Sequence, residues 1–160
     1  MTTRKIDILL SEYGESHKNA TNKLIHWICV PAIMFSIMGL FYTIPFSFIT
    51  ERTIFANWAS VIVLLTLVYY ATLSLPIFIG FILVGGAIVA GNHYLFEWVN
   101  SYNINYVLVS IGIFAIAWIG QFIGHGIEGK KPSFLKDLQF LLVGPAWLLH
   151  FIFKSVGIRY

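Results

Sequence analysis

The chain has 160 residues, 58% hydrophobic and 17% aromatic, with only 11% charged and a formal net charge of +3. Soluble domains carry about 25% charged residues, so this composition and a mean hydropathy of +0.81 exclude an ordinary water-soluble enzyme and indicate an integral membrane protein. The basic residues sit beside apolar runs rather than in a stripe, which argues against a nucleic-acid partner, and the lone Cys29 excludes a disulfide framework.

Residues 4–15 read as a short amphipathic helix, with Ile6, Leu9, Leu10 and Tyr13 interleaved with Arg4, Lys5, Asp7 and Glu12, suited to the membrane interface. No long apolar region precedes it, so no cleavable signal peptide is expected. The polar break "HKNATNK" follows, with Asn19 or Thr21 as the helix cap. A first span is expected over 22–44, with Pro31 as a kink point, a second over 57–73, a third over 77–96 and a fourth over 105–124. A last apolar stretch, 138–153, contains Gly144-Pro145 and reads as a fifth span, a broken helix or a re-entrant hairpin. The expected fold is an all-α, multi-pass transmembrane bundle forming a single domain over 1–160. Lys and Arg before span one and after span four place the N-terminus and the 126–137 loop on the cytoplasmic side.

Ionisable and amide side chains inside or at the ends of such spans are costly, which makes them the functional candidates. Helical spacing organises them. Asn22 and His26, Gln121 and His125, and His93 and Glu97 are each four residues apart and so share a helix face; Glu128 lies one turn beyond His125. A metal-binding imidazole normally donates its other ring N–H to a carboxylate, amide or carbonyl. Both His26 and His125 lie at cytoplasmic span ends, so they are expected to share a site. His17, in the break before span one, reaches them if "KNAT" turns back over the bundle mouth; otherwise it is a solvated loop residue. Imidazoles with few carboxylates suit iron, zinc or copper better than magnesium or calcium. There is no HExxH, no Gly-rich phosphate loop and no GxSxG elbow. Gly120 and Gly124 form a small-residue packing face. Lys130 and Lys131 set orientation or hold a lipid carboxylate. His150, with no polar neighbour one turn away, reads as an interfacial or packing residue.

The stretches "YGESHKNATNKLIHWICVP" (13–31) and "AWIGQFIGHGIEGKKP" (117–132) resemble the paired signatures of the membrane-embedded 2-hydroxy fatty acid dioxygenases of the phytosphingosine-breakdown type. The stretch "GKKPSFLKDLQFLLVGPAWLL" is similar to the bacterial branch in particular. The resemblance implies iron(II)-dependent α-oxidation: a 2-hydroxy fatty acid reacts with O₂ and loses one carbon. It implies Fe(2+) held by His17, His26 and His125, with His93 as a fourth ligand, and no catalytic residue beyond the metal site. Asn22, Glu97, Gln121 and Glu128 would orient the imidazoles, and Lys130 and Lys131 would bind the substrate carboxylate. It also implies residence in a bacterial inner membrane, or the endoplasmic reticulum of a eukaryote. Four full spans conflict with one detail, because a twenty-residue helix is about 30 Å long and carries His93 toward the opposite face. The alternatives from other classes are a non-catalytic lipid-binding or scaffold membrane protein and a small proton or metal transporter.

Overall fold

The computed structural model describes residues 4–46, 53–129 and 140–159, and these are helical with connecting turns. The helices are α1 (Lys5–Gly14), α2 (Ala20–Thr43), α3 (Trp58–Leu73), α4 (Leu75–Ser101), α5 (Tyr106–Ile127) and α6 (Val143–Ser155), the last preceded by a 3₁₀ turn at Phe140–Leu142. Polar side chains set the starts. Asn19 caps α2 by accepting the N–H groups of Thr21 at 2.8 Å and Asn22 at 3.3 Å, and Asn57 and Asn105 cap α3 and α5 in the same way.

Three helices are long and apolar enough to cross a membrane: α2 with 24 residues, α4 with 27 and α5 with 22. The expected second span is shorter than a full crossing. Helix α3 has 16 residues, about 24 Å at 1.5 Å per residue, against a hydrocarbon core of about 30 Å. The last apolar stretch is a 13-residue helix that Gly144-Pro145 does not break. Both residues lie in its first turn, where a missing N–H leaves no internal hydrogen bond unmade. Pro31 likewise sits inside an uninterrupted α2.

The bundle is apolar outside, and its interior combines apolar side chains with a set of buried polar ones. Leu24, Ile28, Leu64, Leu83, Leu108 and Ile116 face outward, whereas Asn22, His26, Ser36, Asn92 and Ser110 are at most 1% exposed. Helices α2 and α5 form its centre as an antiparallel pair, and the expected small-residue face lies between them. A side chain on Gly120 would meet Cys29 Sγ at 2.6 Å, one on Gly124 would collide with Asn22 Oδ1, and one on Gly39 would meet Ser110 Oγ at 2.6 Å. Backbones this close bring the N-terminal end of α2 beside the C-terminal end of α5.

Ser74 alone joins α3 to α4, its side chain accepting the Ile77 N–H at 3.5 Å. The two helices then fold back on each other, Tyr70 against Phe81 with ring centroids 4.8 Å apart. Tyr70 also donates its hydroxyl to the Leu142 carbonyl at 2.5 Å, tying this hairpin to the start of α6. Helix α1 lies on α6 and buries Ile6, Leu10 and Tyr13, one face of the expected pattern.

Candidate metal centre

Three of the sequence-predicted histidines meet. His17 lies in the turn after α1, His26 two turns into α2, and His125 in the last turn of α5. One ring nitrogen from each lies within 4.8 Å of the other two, and no other such group of His, Cys, Asp or Glu occurs among the described residues. Ring centroids are 4.2 Å apart for His17 and His26, 5.0 Å for His26 and His125, and 5.5 Å for His17 and His125. The rings are 4%, 0% and 4% exposed, so the cluster is closed to bulk solvent.

Hydrogen bonds to carbonyl groups settle two of the tautomers. His17 Nδ1 lies 2.6 Å from the Tyr13 carbonyl and His26 Nδ1 lies 2.9 Å from the Asn22 carbonyl. A carbonyl oxygen only accepts, so each Nδ1 carries the proton. In a neutral imidazole the lone pair is then on Nε2, and the Nε2 atoms of all three histidines are buried. Three buried imidazoles, two of them with the second ring nitrogen held by a backbone carbonyl, are a donor set that fits iron, zinc or copper.

The expected orienting residues divide. Asn22 does hold His26, but through its backbone carbonyl; its side-chain amide instead donates to the Ser16 carbonyl at 3.1 Å and to Glu128 at 3.1 Å. Glu128 caps α5 and accepts the N–H groups of Lys18 at 2.7 Å and Asn19 at 2.8 Å, so it clamps the turn that carries His17. Partial burial alone would raise the Glu128 pKa. The hydrogen bonds from Asn19, Lys18 and Asn22, with the neighbouring His17, outweigh that and leave it below the ordinary carboxylate value. Gln121 is buried one turn from His125 and lines a narrow cleft with Tyr13, Val30 and Trp118.

His93 does not join the trio. Its Nδ1 lies 2.7 Å from the hydroxyl of Tyr42, and Tyr42 is sixteen residues along α2 from His26, about 24 Å away at 1.5 Å per residue. Glu97, one turn further on α4, is exposed at that same distant end. The expected fourth ligand and its carboxylate are therefore corrected: the helix that carries them runs to the other end of the bundle. Lys130 and Lys131 lie outside the described residues. His150 is half-buried on α6, its ring against Phe151.

Two residues at the site went unassigned in the sequence. Tyr13 stacks on His17, with centroids 4.2 Å apart and planes within 11°; its position four residues before His17 was the available signal. Trp147 lies 5.3 Å from both rings and is 4% exposed. Nothing local distinguishes it from the tryptophans of an interfacial belt.

An apolar helical bundle closed around three converging imidazoles defines a membrane-type protein with a candidate metal centre. The chain belongs to the family described as 2-hydroxy-palmitic acid dioxygenase Mpo1-like, whose model matches residues 3–156. It is 30% identical over 149 residues to the 2-hydroxy-palmitic acid dioxygenase MPO1 of Saccharomyces cerevisiae, covering 91% of this chain and 78% of the yeast protein. No solved structure matches.

Proposed function

We propose that this protein is an iron(II)-dependent dioxygenase that shortens 2-hydroxy fatty acids by one carbon. The observation that carries the reading is the convergence of His17, His26 and His125 within 4.8 Å in a buried site, in a chain of the 2-hydroxy-palmitic acid dioxygenase Mpo1-like family. The overall change is balanced when a 2-hydroxy acid and O₂ give the acid one carbon shorter, CO₂ and water.

His17, His26 and His125 are the residues that would hold the iron. When bound, the metal supplies a redox centre for O₂ and a positive charge for the hydroxy-carboxylate. The protein's own part is placement and exclusion. The Tyr13 and Asn22 carbonyls hold two imidazoles with their lone pairs on Nε2. Glu128 closes the His17 turn onto α5, and Tyr13 and Trp147 cover His17 with apolar rings that keep water out. Lys130 and Lys131 steer the substrate carboxylate toward the metal. Residence in a bacterial inner membrane, or in the endoplasmic reticulum of a eukaryote, completes the reading by resemblance, and the lysine and arginine distribution supports a cytoplasmic N-terminus.

Incubation of purified protein with 2-hydroxypalmitate, iron(II) and O₂, followed by mass spectrometry, tests this directly. The expected product is the saturated acid one carbon shorter, and chelation abolishes it. A protein that retains no iron and is equally stable after chelation is a lipid-binding or scaffold module instead. Liposome flux that responds to His26→Ala, with no lipid product, would mark a transporter.

A further inference from the structure

A cavity of about 540 Å³ lies between α2, α4 and α6, and the metal centre does not account for it. Its walls include Val30, Met34 and Phe35 from α2, Ala87 from α4, and Leu148 and Leu149 from α6. Apart from the indole of Trp27, every side chain lining it is apolar. Ligand sites usually pair apolar walls with a few polar groups that fix orientation. A pocket with almost none suits a stretch of ligand that has no hydrogen-bonding group.

Position connects this cavity to the histidines. Val30 is one turn from His26 on the same face of α2, about 6 Å along the axis, and it also walls the narrow cleft containing Tyr13 and Gln121. On the opposite wall, Leu148 follows Trp147, whose ring lies 5.3 Å from that of His17. Both walls therefore start at the trio. Along α2 the lining continues to Phe35, nine residues or about 13 Å from His26. The Phe35 ring packs over Gly91, where an added side chain would meet it at 3.0 Å, so α4 borders that end.

We propose that this cavity holds the hydrocarbon chain of the fatty acid, its carboxyl end at the histidine trio and its tail toward Phe35 and Ala87, which set the preferred chain length. The proposal rests on the dioxygenase reading for the identity of the head group, and on the cavity alone for the chain. Bilayer tails are as apolar as these walls, so the cavity offers little affinity over the surrounding lipid. What it offers is alignment: a chain lying along α2 presents its first carbons to His26.

The test uses the full-length protein in phospholipid nanodiscs and 2-hydroxypalmitate carrying a photoreactive diazirine at its tail end. Labelling is expected in the peptides of α2, α4 and α6 that contain Phe35, Ala87 and Leu149, and excess unlabelled 2-hydroxypalmitate should suppress it. Label spread evenly over the outward faces of α3 and α5, and indifferent to competitor, would overturn the proposal. This readout holds even if the protein turns over no lipid, so it fails or succeeds separately from the dioxygenase assignment. A second arm uses Ala87→Trp, which adds bulk to the α4 wall of the cavity at a position accessible from outside the helix bundle. It should lower kcat/KM for 2-hydroxypalmitate by about tenfold or more while changing that for 2-hydroxyoctanoate by less than about twofold. An equal loss on both chain lengths would overturn the chain-length role.

Discussion

Glu128 accepts the backbone N–H of Asn19 at 2.8 Å across 109 residues of sequence, joining the end of α5 to the turn before α2. The same carboxylate takes the Lys18 N–H and the Asn22 side-chain amide. His17 sits on that turn, so the position of one imidazole depends on a carboxylate it does not itself need to touch. Glu128→Gln keeps the shape but weakens each contact, since hydrogen bonds to an ionised acceptor are roughly twice as strong as neutral ones. Iron affinity is expected to fall by about 10–100-fold with helix content unchanged, as read by metal titration alongside circular dichroism. Unchanged affinity would show that the clamp has no bearing on the site.

Removal of one imidazole should abolish tight metal binding. His17→Ala, His26→Ala and His125→Ala are each expected to lose bound iron and turnover while still folding. His93→Ala should retain both, because His93 bonds Tyr42 at the far end of α2. Elemental analysis of the four purified variants separates the two positions. Iron lost from His93→Ala as from the others would mean that the far end of the bundle belongs to the site.

The contact of α5 with α2 beside the trio has no room for a methyl group. Gly124→Ala drives a side chain into Asn22 Oδ1 and should cost about 1–3 kcal/mol, the usual range for overpacking. Two residues on, Gly126 has nothing within 4 Å, and Gly126→Ala should stabilise the helix by about 0.5–1 kcal/mol. Thermal melts of the pair in one detergent give the comparison, and a common sign for both would contradict the packing described.

The basic residues that follow α5 in the sequence carry a kinetic prediction. If Lys131 steers the substrate carboxylate, Lys131→Ala should raise the apparent KM for 2-hydroxypalmitate and leave kcat nearly unchanged, the pattern of lost uniform binding. Initial-rate measurements over a range of substrate concentrations decide it; an unchanged KM removes Lys131 from the reaction.

Much of the site was legible because α-helical spacing carries it. The pairs Asn22–His26 and Gln121–His125 identify two faces, and the polar "KNAT" turn returns His17 to them. The same spacing misplaced His93. Its pairing with Glu97 looks identical in sequence, yet α4 sets it beside Tyr42, a partner 51 residues away that local periodicity does not register. The role of Asn22 was hidden for a related reason, since a bond to its backbone carbonyl leaves no trace in residue identity. The bounds expected for the second apolar run, 57–73, match α3, but hydropathy alone does not say that its sixteen helical residues fall short of a full crossing.

The three clustered imidazoles are drawn from positions 17, 26 and 125, and this separation orders how the protein is made. The first two emerge from the ribosome early, but they wait for nearly a hundred further residues, including two complete helices, before the third arrives. A nascent or truncated chain that ends before α5 has no complete cluster, so any metal that these three imidazoles hold can be taken up only after α2 and α5 have come together.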